Sequence, residues 1–140
     1  MDSNKLGQQK PLKILLAEDN KVNQILTLGL LRSLGYMADL AVDGKSAIEA
    51  VQSRDYDLVL MDCQLPVIDG YTAARHLKED LHSRAIIVAY TAHGSPLEMS
   101  RCKDSGMELV LAKPISIETL VDLLNQIYER LGALPSNSKT

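Results

Sequence analysis

The chain has 140 residues and a mass of 15.4 kDa, which fits one ordinary domain and excludes two stacked ones. With 46% hydrophobic and 24% charged residues it can build a core, so disorder throughout is excluded, and no apolar run approaches the roughly 20 residues that span a bilayer. Fifteen basic against 18 acidic residues give a net charge of −3 without any Lys/Arg block, which excludes a nucleic-acid footprint. The polar start Met1-Asp2-Ser3-Asn4-Lys5 has no signal-peptide core, so the expectation is a cytoplasmic domain without direct membrane contact. Cys63 and Cys102 share no metal-ligand spacing and are expected as free thiols.

Residues 1–11 and 132–140 are polar, lack periodicity and are expected as tails around a domain over 12–131. The first apolar run, Ile14–Ala17, is short and apolar at every position, as a parallel strand covered on both faces must be. A helix over Lys21–Leu34 follows, with Asn20 as N-cap and Gly35 as its stop; Val22, Ile25, Leu26 and Leu30 share one arc. Leu28 and Leu31 fall off that arc, among Lys21, Gln24 and Thr27, and are expected as exposed apolar residues for partner docking. Met37–Ala41 alternates and suits an edge strand, and Gly44–Arg54 has helical period. Leu58–Met61 and Ala85–Ala89 repeat the buried-strand pattern around a helix over Gly70–Asp80. A helix over Ser95–Ser105, a strand over Leu109–Ala112 and a helix over Ser116–Leu131 complete the chain. That last helix carries Ile117, Leu120, Val121, Leu124, Ile127 and Leu131 on one stripe. Strand and helix thus alternate five times, which predicts a doubly wound α/β fold with a five-stranded parallel sheet in the order 2-1-3-4-5.

In such a sheet the ligand site lies beyond the carboxyl ends of the strands. Glu18 and Asp19 follow the first strand, Asp62 the third, Thr91 the fourth, and Lys113 with Pro114 the fifth. Carboxylates drawn together raise one another's pKa unless a cation joins them, and a hard divalent ion such as Mg²⁺ suits oxygen ligands. The Lys113 ammonium and Thr91 hydroxyl would then stabilise phosphoryl oxygens, while an ionised Asp62 could attack phosphorus to form an acyl phosphate. No Gly-rich ATP loop accompanies these residues, so the chain is not expected to phosphorylate others from ATP.

At these residues the sequence resembles the receiver domain of two-component response regulators. The resemblance rests on Leu15-Leu16-Ala17-Glu18-Asp19-Asn20, Met61-Asp62-Cys63-Gln64-Leu65-Pro66 with Asp69-Gly70, Tyr90-Thr91-Ala92, and Leu111-Ala112-Lys113-Pro114. It implies that Asp62 is the phosphoacceptor, and that Glu18, Asp19, Asp62 and the Gln64 backbone carbonyl hold Mg²⁺ (or Mn²⁺), Glu18 directly or through water. It implies also that Thr91 is the switch hydroxyl and Lys113 the phosphate-binding lysine before a cis Lys113–Pro114 bond. Ala17–Asn20, Val22-Asn23-Gln24 and Leu34-Gly35-Tyr36 resemble receivers attached to hybrid sensor histidine kinases. This implies a phosphorelay with a sensor-kinase dimerisation domain and a histidine-containing phosphotransfer protein as partners, a stand-alone response regulator being the alternative context.

The chain departs from the family in having Val110 where many members place an aromatic switch residue. Tyr90, by strand alternation, is expected to point away from Thr91 into the helix layer. A magnesium-dependent phosphatase would want an acid at position 64, which is Gln, and a flavin carrier would not place Glu18-Asp19-Asn20 in its phosphate loop. A pseudo-receiver scaffold would not keep the acids, acceptor, Thr and Lys together.

Overall fold

The computed structural model of the chain describes residues 5–92 and 94–132. The expected tail over 132–140 therefore lies outside them beyond residue 132, as does His93. A short helix, α1 (Lys5–Gln9), leads into β1 (Ile14–Ala17), α2 (Lys21–Ser33), β2 (Asp39–Ala41), α3 (Gly44–Ser53) and β3 (Leu58–Asp62). The chain continues through α4 (Gly70–Arg75), a π-helical turn over His76–Asp80, β4 (Ile86–Thr91), α5 (Pro96–Asp104), β5 (Leu109–Ala112) and α6 (Ile117–Gly132). All five strands are parallel and ordered β2-β1-β3-β4-β5, as the alternation predicts.

The strands are apolar on both faces because both are covered. Leu15, Ala17, Val59 and Met61 pack toward α3 and α4, whereas Ile14, Leu16, Leu58 and Leu60 pack with Leu31 of α2 and Leu120, Leu124 and Ile127 of α6. The helices start where short polar side chains can hold free N–H groups: Asn20, Asp43, Asp69 and Ser95 each accept from the backbone three residues on. Gly35, at φ 94°, ends α2 in the left-handed region that an L side chain resists.

Two expectations are corrected. Lys5–Gln9 is not a structureless tail: Gly7 N–H donates to Leu34 O at 2.8 Å, Lys10 Nζ reaches Asn125 Oδ1 at 2.6 Å, and Leu6 packs on the α2/α6 cluster. A Cβ on Gly7 would lie 2.3 Å from Gly35 O, so the helix docks by glycine-on-glycine contact, which hydropathy cannot reveal. The second correction concerns α2, which is turned over relative to the expected arc. Leu31 is fully buried and Leu28 partly buried in the core, while Val22, Ile25 and Leu26 are 64%, 64% and 54% exposed. Leu28 and Leu31 are therefore packing residues and not a docking pair. The inward face carries Gln24 and Thr27 because both find buried partners: Gln24 Nε2 donates to Glu18 O, and Thr27 Oγ1 bonds Tyr90 OH.

Candidate active site

The register of the sheet assembles the site. Ala17 lies opposite Met61, so the residues that follow, Glu18 and Asp62, are neighbours at the carboxyl edge. Asp62 pairs with Tyr90, and Thr91 with Ala112, which brings Thr91 and Lys113 to the same edge. Lys113 N–H donates to Thr91 O at 2.9 Å, fixing the two segments together. The Lys113–Pro114 bond is cis, as the family resemblance implies.

Lys113 Nζ sits 2.8 Å from Asp62 Oδ2 and 2.7 Å from Glu18 Oε1. The other Asp62 oxygen, Oδ1, accepts from Gln64 N–H at 2.9 Å. Asp62 is thus held from both sides on a buried carbon frame with its carboxylate at the edge. Gly70 follows close behind: its N–H donates to Cys63 O, and a Cβ there would stand 2.0 Å from Asp62 O. A side chain at position 70 would push the Asp62 backbone out of register.

Glu18 is fully buried. Burial pushes its carboxyl above the ordinary range and the Asp62 charge adds to this, while the Lys113 ammonium and the Asn20 N–H oppose it. For Lys113, burial disfavours the charge, but the bonds and charges of Asp62 and Glu18 outweigh it and hold the ammonium above its usual pKa. Glu18, Asp19 and Asp62 offer carboxylate oxygens within 4.8 Å of one another. One ammonium among three carboxylates leaves negative charge over. Three clustered carboxylates against a single ammonium, with Asp19 exposed to an incoming ion, fit a hard divalent cation.

Thr91 is buried at the end of β4. Tyr90 points to the opposite face, as alternation requires, into the α2/α6 cluster. Cys63 packs in the buried cluster on the α3/α4 side, and its Sγ lies 3.7 Å from Cys102 Sγ with both thiols free and buried. The Thr27–Tyr90 bond escaped sequence reading; its signal is a hydroxyl in a helix otherwise rich in Leu and Ile. A cleft of about 500 Å³ lies at the opposite, amino edge among Arg54, Tyr56, His82 and Arg84.

A parallel sheet of this order with an aspartate at the end of β3, flanking acids, a buried threonine and a lysine before a cis proline is the arrangement that the receiver resemblance implies. The model of the response regulator receiver domain family matches residues 14–125, and the chain belongs to that family. It is 40% identical over 123 residues to the autoinducer 2 sensor kinase/phosphatase of Vibrio cholerae, matching 88% of this chain but spanning only 14% of the kinase. The receiver domain of a Pseudomonas aeruginosa sensor histidine kinase, solved with a magnesium ion in its active-site cleft, is 40% identical with a TM-score of 0.77. That match covers 84% of this chain and 98% of the other. A Saccharomyces cerevisiae receiver co-crystallised with a histidine phosphotransfer protein matches at 27% identity and TM-score 0.78, over 89% of this chain and 93% of its own. The chain is therefore a receiver domain of the kind found in hybrid sensor kinases, a module of two-component phosphorelays. Among the described residues no helix is long and apolar enough to cross a membrane.

Proposed function

We propose that the chain accepts a phosphoryl group on Asp62 from a phosphohistidine of a sensor-kinase dimerisation domain and passes it to a histidine-containing phosphotransfer protein. The observation that carries this reading is the grip on Asp62: Lys113 on Oδ2 and Gln64 N–H on Oδ1, beside the acidic pair Glu18 and Asp19. An oxygen of the Asp62 carboxylate attacks phosphorus as the P–N bond breaks, and the electron pair returns to the imidazole. Lys113 and the Thr91 hydroxyl take the phosphoryl oxygens, so charge that grows outside the carboxylate meets donors already in place. Glu18, Asp19, Asp62 and the Gln64 carbonyl are the residues that would hold Mg²⁺, with Mn²⁺ as a substitute of similar preference. When bound, such an ion neutralises the acids and the incoming phosphoryl charge.

The docking surface in this reading is the exposed face of α2. Ile25 and Leu26 line a groove of about 440 Å³ with Asn23, Pro114 and Ile115, open beside the acceptor edge. Its apolar lining suits a helix from a phosphohistidine-bearing bundle, and the yeast receiver of the same fold is known with a histidine phosphotransfer protein. The parent protein in this reading is a hybrid sensor kinase and the domain works in the cytoplasm. Intact mass after incubation with Mg²⁺ and acetyl phosphate tests the chemistry. One phosphoryl adduct is expected on the wild type, and none on Asp62→Asn; an adduct that survives the substitution would sink the assignment.

A further inference from the structure

Helix α2 turns Gln24 and Thr27 inward, and the buried Thr27 hydroxyl has one specific partner. Thr27 Oγ1 and Tyr90 OH lie 2.6 Å apart, with both residues buried. The Tyr90 ring in turn faces the lysine of the site, with Lys113 Nζ 4.6 Å from its centroid. The same tyrosine and threonine form part of the wall of the groove bounded by Ile25, Leu26, Pro114 and Ile115. One side chain therefore touches the active-site cation at its ring, helix α2 at its hydroxyl, and the groove along its length. Val110, on the neighbouring strand, offers no ring for any of these contacts.

We propose that Tyr90 is a positioning residue that couples the Lys113 ammonium to α2, so that phosphoryl occupancy of Asp62 resets the groove on which a partner docks. The inference rests on the receiver reading above. In the unphosphorylated site Lys113 is drawn toward Asp62 Oδ2 and Glu18 Oε1 and stays over the Tyr90 ring. Formation of the acyl phosphate at Asp62 moves negative charge from the carboxylate to phosphoryl oxygens farther out, and the ammonium follows the charge away from the ring. Tyr90 is packed too tightly for a graded response, so its bond to Thr27 is either kept or exchanged, and α2 has two seatings. A kinase meeting the empty site and a phosphotransfer protein meeting the phosphorylated one would then meet different grooves.

Amide NMR of the full chain with Mg²⁺ and beryllofluoride, a phosphoryl analogue, tests the coupling in wild type, Tyr90→Phe, Thr27→Val and Thr27→Ser. Tyr90→Phe keeps the ring and Thr27→Val keeps the volume, so each removes the hydrogen bond with little change in packing. In the wild type, the resonances of Gln64 and Thr91 are expected to move together with those of Ile25, Leu26 and Thr27. In Tyr90→Phe and Thr27→Val the Gln64 and Thr91 shifts persist, the α2 shifts fall by at least half, and Thr27→Ser restores them. Wild-type α2 shifts in Tyr90→Phe, or none in the wild type while Gln64 and Thr91 respond, overturn the coupling and leave the receiver reading standing. Failure of Gln64 and Thr91 to respond in the wild type overturns both.

Discussion

Helices α2 and α6 lie on the same side of the sheet and share one buried cluster, yet they meet it in opposite ways. Helix α6 turns Leu120, Leu123, Leu124 and Ile127 inward, whereas α2 buries Gln24 and Thr27 with Leu31 and leaves Val22, Ile25 and Leu26 in solvent. The difference follows from what each helix faces. Helix α6 covers strand interiors, where only apolar side chains gain by leaving water. The first turns of α2 stand beside the carboxyl edge, where the Glu18 carbonyl and the Tyr90 hydroxyl need partners, so polarity inward costs nothing that a hydrogen bond does not return. Its apolar outer face then stands in solvent, where the proposed reading places the docking partner.

The comparison breaks first if the two helices do not share a core. Leu124→Ala and Leu31→Ala, both fully buried, should each lower unfolding free energy by about 2–5 kcal/mol in urea titrations. A Leu31→Ala protein as stable as the wild type would mean that α2 is not seated as described. A smaller effect sharpens the contrast on the outer face. Ile25→Ser should change stability by no more than about 0.5 kcal/mol, since the side chain is 64% exposed. Phosphotransfer from a phosphohistidine donor protein should nevertheless slow by about tenfold, equivalent to about 1.4 kcal/mol of lost docking energy, with the acetyl phosphate rate unchanged. Equal slowing with both donors would remove the docking role from this face.

The smallest effect concerns the α3/α4 side of the sheet together with Tyr36. Burial pushes the Cys63 thiol up to about 12 from 9.0, and Tyr56 up to about 12 from 10.0, in the latter case helped by Asp39; Tyr36 is pushed up to about 12 as well. Acids with raised folded pKa values contribute stability that is fully present below their unfolded values and is lost as pH climbs through the folded ones. Stability should therefore be flat to about pH 9 and decline from there to about pH 12. Tyr56→Phe should flatten part of that decline in denaturation curves taken across the window. An unchanged slope would mean that Tyr56 titrates alike in both states.

Much of the fold was legible in the sequence because four of the five strands carry unbroken apolar runs, which admit few alternatives. The site was legible for a related reason: Glu18, Asp19, Asp62, Thr91 and Lys113 all follow strand ends, and a parallel sheet sends all strand ends to one edge. What was not legible depended on particular partners. Helix α2 is apolar on two arcs, and choosing between them requires knowing that Gln24 and Thr27 find hydrogen bonds inside. Helix α1 is held by the approach of Gly7 to Gly35 and by backbone bonds, neither of which leaves a hydropathic trace.

Helix α5 directly follows the segment that carries Thr91, and Cys102 is its one buried residue; Leu97 and Met99 stand in solvent. A helix held by one buried thiol and by Arg101 over the Tyr71 ring has little apolar area to lose by lifting away, so its amides should exchange with deuterium well before those of α6. Asp62 would then end a strand buried at every position, beside an element that opens locally.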